Sequence, residues 1–141
     1  MRSTLFIFLF AASLIAAAPS EEMVDAIKKG NAAALEILVK DRDDANSKIE
    51  NGKTILMLAT WEQKADIVSF LLAKGADINA RDASGKTALM LAIWKENLAI
   101  VKILIKNGAD KSVKNNEGLN ASDIAELSGN GEIIDFLNTK N

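Results

Sequence analysis

Apolar residues recur in the middle of the chain at the spacing of short amphipathic helices. One stripe has the three- and four-residue intervals that place side chains on one helix face, and consists of Ile67, Val68, Leu71 and Leu72. The apolar segment 55–59 follows Thr54, whose hydroxyl is suited to cap a helix N-terminus. The pattern therefore predicts a pair of short helices. Because so small a pair cannot bury its apolar stripe alone, it must stack on similar pairs.

The same pattern returns after 33 residues. Residues 52–61 read GKTILMLATW, and residues 85–94 read GKTALMLAIW. The alignment extends in both directions without insertion or deletion and divides the chain into four units, at about 19–51, 52–84, 85–117 and 118–141. A fixed period of this size predicts a solenoid of stacked helix pairs.

The third unit has the pattern G-x-T-x-L-x-x-A, then I-V-x-x-L, then G-A-D. Its matching residues are Gly85, Thr87, Leu89, Ala92, Ile100, Val101, Leu104, Gly108, Ala109 and Asp110. This pattern resembles the ankyrin repeat family, and the resemblance covers essentially all of the chain after residue 20. It implies an all-α fold, an ankyrin-type α-solenoid of four helix-turn-helix repeats with short β-hairpin-like loops. It also implies protein recognition as the function.

The chain departs from the family pattern at three kinds of position. Ile55 and Ala88 stand at the family's proline, and Met57 and Met90 at its histidine. The threonine–histidine hydrogen bonding of that turn is therefore absent. Arg42 replaces the glycine that ends the second helix, which costs on the order of 1 kcal/mol if the left-handed backbone is kept. We therefore expect a distorted first hairpin.

Residues 1–20 have the features of a secretory signal peptide. Arg2 precedes an unbroken run of apolar or small residues at 5–18, and this run would span only about 21 Å as a helix. A bilayer core needs about 30 Å. We expect cleavage after Ala17, Ala18 or Ser20, and a mature domain at 21–141 that is not stably inserted in a membrane. The expected location is the periplasm or the outside of the cell.

Composition excludes several classes of function. The chain has no histidine, and it also has no cysteine, so the usual nucleophile–base pairs and zinc ligands are missing. The formal net charge is −2 and no dense basic stripe occurs, which argues against nucleic-acid binding. Asp77 and Asp110 occupy equivalent turns and are interpreted as structural. We predict a monomer that is not an enzyme and has no catalytic site, metal site or cofactor.

The two tryptophans of the chain occupy the same repeat position. Large apolar residues at a position that the family leaves variable predict a partner contact at Trp61 and Trp94. Met57 and Met90 precede them by four residues and thus share their helix faces. With Leu127, these side chains would form an apolar strip. In the alternative interpretation, the methionines belong to the core and each tryptophan only covers a junction between repeats.

Polar residues flank this predicted strip. Glu62 and Lys95 each follow a tryptophan directly. The resemblance also implies that the hairpin tips line the concave binding face together with the first helices. The predicted polar contacts at the tips are Arg81, Asp82, Asn115 and Asn116. They are expected to set specificity more than affinity.

Three functions are compatible with these features. The first is an exported protein-binding module. Small exported bacterial ankyrin proteins are in some cases linked to catalases, so the resemblance implies an accessory or chaperone of a periplasmic catalase in oxidative-stress defence. The second is a carrier of a small ligand such as haem, although only methionine or lysine would remain as iron ligands. The third is a secreted effector directed at host proteins.

Overall fold

The computed structural model describes residues 20–139, which form short α-helices arranged mainly in pairs. In chain order, the helices are α1 (Glu21–Lys29), α2 (Ala32–Leu38), α3 (Arg42–Ala45), α4 (Ile55–Trp61), α5 (Ala65–Ala73), α6 (Ala88–Trp94), α7 (Leu98–Lys106), α8 (Ala121–Ser128) and α9 (Gly131–Asn138). A 3₁₀ turn at Glu50–Gly52 precedes α4. The predicted signal peptide lies outside the described residues except for Ser20. The predicted all-α solenoid of helix-turn-helix repeats is confirmed.

Threonine side chains start the first helices of the two central repeats. The Thr54 hydroxyl accepts the backbone N–H of Met57 at 3.2 Å, as the sequence predicts. The Thr87 hydroxyl accepts the N–H of Met90 in the same way, at 3.4 Å. Each bond satisfies a donor that the first turn of a helix would otherwise leave unpaired.

The first helices of the pairs pack against one another in chain order, as α1, α4, α6 and α8, while α5, α7 and α9 form a second row. The core lies between the two rows. Ile55 to Thr60 of α4 and Ala88 to Ile93 of α6 are all buried. Since these helices are buried on every side except at their last residue, the two tryptophans stand out from the core.

Asparagine side chains connect successive loops. The Asn46 side-chain oxygen accepts the N–H of Asp77 at 2.6 Å, and the Asn79 oxygen accepts the N–H of Asp110 at 2.8 Å. Gly75 and Gly108, which end α5 and α7, have φ values of +90° and +88°. This left-handed backbone is a common helix ending that glycine adopts without strain.

The first unit departs from the others where its second helix ends. Its second helix α2 has seven residues, whereas α5 and α7 have nine each. Arg42 begins the extra helix α3, which Asp41 caps by accepting the N–H of Asp44 at 2.9 Å. Arg42 thus does not keep the left-handed backbone of the equivalent Gly75 and Gly108. The added helical turn gives Arg42 an ordinary helical backbone, so the strain does not arise.

Candidate functional site

Trp61 and Trp94 end their helices at equivalent positions and remain accessible. Their side chains are 43% and 61% exposed, respectively. Each is the one exposed residue of an otherwise buried helix, α4 for Trp61 and α6 for Trp94. Since these helices pack side by side, the two indole rings belong to neighbouring repeats on the same side of the stack.

A lysine of the following repeat lies over the ring of Trp61. The ammonium nitrogen of Lys95 lies 4.2 Å from the centre of this ring. An ammonium group at that distance is attracted by the electron-rich face of the indole, by about 0.5–1 kcal/mol at an exposed site. Lys95 thus contacts the tryptophan of the preceding repeat, whereas the sequence pattern predicts only a flanking role for it.

Met57 and Met90 are core residues. Their side chains are 1% and 2% exposed, so they offer almost none of their surface to a partner. The packing interpretation is correct for both, and the interpretation that places them in an exposed strip is wrong. The cause is their position one turn earlier in helices whose first six residues are all buried. These two thioether groups are therefore not exposed as the iron ligands that the haem-carrier hypothesis would use.

A cavity of about 650 Å³ lies between the hairpin tips and the first helices α4 and α6. We call it the first cavity. Its lining residues are Ile49, Asn51, Lys53, Met57, Leu58, Trp61, Asp82, Ala83, Ser84, Lys86, Leu91 and Asn116. Sequence reasoning missed Lys53 and Lys86, although both follow the repeated glycine at equivalent positions.

A second cavity of about 300 Å³ adjoins the first on the side of α8. Its lining is mostly apolar and consists of Trp61, Lys86, Met90, Leu91, Trp94, Asn115, Glu117, Leu119, Ile124 and Leu127. Trp61, Lys86 and Leu91 line both cavities. We call the two together the inner groove. Both tryptophans and Leu127 thus line the same cavity, and Leu127 is 67% exposed.

Asp82 and Asn115 shape the hairpins through equivalent hydrogen bonds. One carboxylate oxygen of Asp82 accepts the hydroxyl of Ser84 at 2.7 Å and the backbone N–H groups of Ser84 and Lys86, each at 2.9 Å. The Asn115 oxygen accepts the N–H groups of Glu117 and Leu119 at 2.9 and 3.0 Å. Both predicted contact residues therefore line the groove while they hold its wall in shape.

Arg81 and Asn116 join one hairpin to the next. An Arg81 guanidinium N–H donates to the Lys114 carbonyl at 2.9 Å, and the Asn116 amide donates to the Ala83 carbonyl at 2.9 Å. Arg81 lines neither cavity, whereas Asn116 lines the first. Glu62 also lines neither cavity. The tips thus form a hydrogen-bonded wall opposite the tryptophans.

The acidic residues Asp77 and Asp110 accept hydrogen bonds within their own turns. Hydrogen bonds from the Ser112 hydroxyl, at 2.6 Å, and from the Ser112 backbone N–H, at 2.8 Å, hold the pKa of the Asp110 carboxyl below its ordinary value. The Asp77 carboxylate accepts the N–H of Asn79 in the equivalent turn. Within residues 20–139, three or more acidic side chains nowhere come together as a set that would hold a metal ion.

Comparison with known families agrees with this architecture. The model of the family described as "Ankyrin repeats (3 copies)" matches residues 23–115 and, in a second overlapping match, residues 82–141. No curated protein shows significant similarity to the chain. None of the helices described at residues 20–139 has the length and apolar character needed to cross a bilayer. The two family matches together span most of the sequence, and the chain therefore belongs to the ankyrin repeat family.

Proposed function

We propose that the protein binds a partner protein in the inner groove, with Trp61 and Trp94 as the main contacts. The family is one of protein-interaction modules that are typically not enzymes. The observation that carries the proposal is the exposure of the two indole rings, 43% and 61%, at the ends of helices that are otherwise buried. Tryptophan is enriched among the residues that dominate binding energy at interfaces.

The groove supports this assignment by its shape and its lining. Two adjoining cavities of about 650 and 300 Å³, which share Trp61, Lys86 and Leu91, provide concave apolar surface next to the rings. The hydrogen-bonded hairpin wall holds the opposite side, so a partner meets a largely preformed site. A preformed site loses less conformational entropy on binding than a flexible one. We therefore assign partner binding to this face and not to the second row of helices.

We further propose that the partner is met outside the cytoplasm and is a periplasmic enzyme such as a catalase, for which the protein acts as accessory or chaperone. The support is the apolar run at residues 5–18 together with the resemblance to small exported ankyrin proteins. The catalase proposal depends on family analogy, and the groove assignment does not depend on it.

The groove assignment is tested by capturing partners from a periplasmic extract with the wild type and with the Trp61→Ala/Trp94→Ala variant. We expect each substitution to cost at least about 2 kcal/mol, or roughly thirtyfold in affinity, because each ring is a large aromatic contact. The variant should still unfold cooperatively, since both rings lie outside the buried portion of their helices.

Ile37→Ala is the matched control for this experiment. Ile37 is an exposed apolar residue, at 73%, and it lines neither cavity of the inner groove. The control should retain the partner. Equal capture by the tryptophan variant and the wild type would contradict the groove assignment. A captured set without a catalase would overturn the catalase proposal alone.

A further inference from the structure

We propose that the inner groove recognises an extended acidic segment of its partner, with one apolar side chain in each cavity and a carboxylate between them. This inference rests on the proposed function and adds the chemistry of the partner segment. It is carried by the spacing of the two cavities and by the charges around them.

The spacing of the cavities follows from the repeat. The first cavity lies between α4 and α6 and the second extends toward α8, with Trp61 between them. Neighbouring helices pack about 8–10 Å apart, so the cavities are offset by about that distance. An extended chain in the polyproline II conformation rises about 3.1 Å per residue and has three residues per turn. Side chains three residues apart therefore point to the same side, about 9 Å apart, and match the two cavities.

Two lysines provide unpaired positive charge along this path. Lys53 and Lys86 occupy equivalent repeat positions and both line the first cavity, and Lys86 also lines the second. Within residues 20–139 the ion pair found is that of Lys29 with Asp25, and neither the Lys53 nor the Lys86 ammonium group makes a hydrogen bond there. A partner carboxylate between the two apolar side chains would meet both ammonium groups.

Two acidic side chains, Asp82 and Glu117, line the inner groove. The first cavity keeps a net positive charge, because Lys53 and Lys86 there outnumber the one carboxylate of Asp82. Asp82 already accepts three hydrogen bonds within its own turn. Glu117 lines the second cavity only, together with Lys86. Lys95, which lies over the Trp61 ring, lines neither cavity. This distribution favours an acidic partner segment over a basic one.

The inference is tested by selecting displayed random dodecapeptides on the full chain, in parallel with the Trp61→Ala/Trp94→Ala and Lys53→Glu/Lys86→Glu variants. Peptides enriched on the wild type alone should carry two apolar residues three positions apart with Asp or Glu between them. A synthetic peptide of the leading sequence should bind about tenfold more weakly when its acids are changed to amides, and about tenfold more weakly to the lysine variant. Its affinity should also fall with added salt.

Lys40→Glu/Lys106→Glu is the matched control, because it makes the same charge change outside both cavities and should leave peptide affinity unchanged. Cooperative thermal unfolding of every variant excludes loss of fold. Tryptophan-dependent peptides that lack acids, or that bind the groove-lysine variant equally, would overturn the inference and leave the groove assignment intact. A selection without tryptophan-dependent peptides would also overturn it, and the partner capture would then decide the groove assignment separately.

Discussion

Trp61 and Trp94 hold equivalent repeat positions but differ in their surroundings. Lys95 covers one face of the Trp61 ring, whereas the equivalent residue of the following repeat is Ser128, which has no cation to place over Trp94. In agreement with this difference, Trp94 is 61% exposed and Trp61 43%. Trp94 beside Leu127 is therefore the more accessible anchor. Trp61 is held in place by a contact between repeats.

The Lys95–Trp61 contact should be measurable as a coupling energy. We expect Lys95→Met, which keeps most of the apolar stem, to lose about 0.5–1 kcal/mol of unfolding free energy, because the cation–ring attraction disappears. In a double-mutant cycle with Trp61→Ala, measured by urea unfolding, this loss should vanish. Lys114→Met is the control without a ring contact among the described residues. Strictly additive effects of Lys95→Met and Trp61→Ala would exclude the contact in solution.

At the scale of elements, the turn between the two helices of each pair requires one left-handed residue. The four equivalent positions are Gly30, Gln63, Glu96 and Gly129, with φ values of 70°, 57°, 54° and 71°. The end repeats use glycine, for which this backbone is free of strain. The two central repeats instead place side chains there that accept long hydrogen bonds, of 3.3 and 3.4 Å, from the asparagine of the next repeat. The central turns thus contain strain that the end turns avoid.

Replacing the central turn residues by glycine should stabilise the protein. Relief of roughly 1–2 kcal/mol of left-handed strain, less the backbone entropy cost of glycine, leaves a gain of about 0.5 kcal/mol for Gln63→Gly or Glu96→Gly. The gain would appear as a higher urea midpoint. Gly129→Ala is the reciprocal control, because a Cβ there would meet no atom within 4 Å and its cost is conformational alone. If either glycine variant were less stable than the wild type, the long hydrogen bonds would outweigh the strain.

For the whole molecule, the stack could be predicted because its determinants recur. The 33-residue period, the threonine caps and the left-handed glycines Gly75 and Gly108 each specify the same helix pair, so one mistaken position does not change the fold. Arg42 is the exception. The family pattern implies a left-handed residue there, but the local sequence offers an aspartate cap and so a helix.

The candidate site was less predictable than the fold. The sequence indicates that Trp61 and Trp94 share a side of the stack, because a period alone is sufficient for that conclusion. The position of Lys95 over the preceding ring, and the use of Asn116 to join hairpins, depend on the offset between stacked repeats. That offset is set by packing, so the spacing of the sequence motifs does not predict it. The burial of the methionines likewise follows from how closely the first helices pack.

The central claim is that a partner occupies the groove beside the tryptophans, and site-specific photocrosslinking tests it most directly. A photoreactive phenylalanine analogue placed at Trp94 keeps an aromatic ring in the groove, and the same analogue at Ile37 samples exposed apolar surface elsewhere. After irradiation in cells that express the full chain, we predict a discrete adduct of higher mass from position 94 and none from position 37. No adduct at position 94, or equal adducts at both positions, would contradict the account.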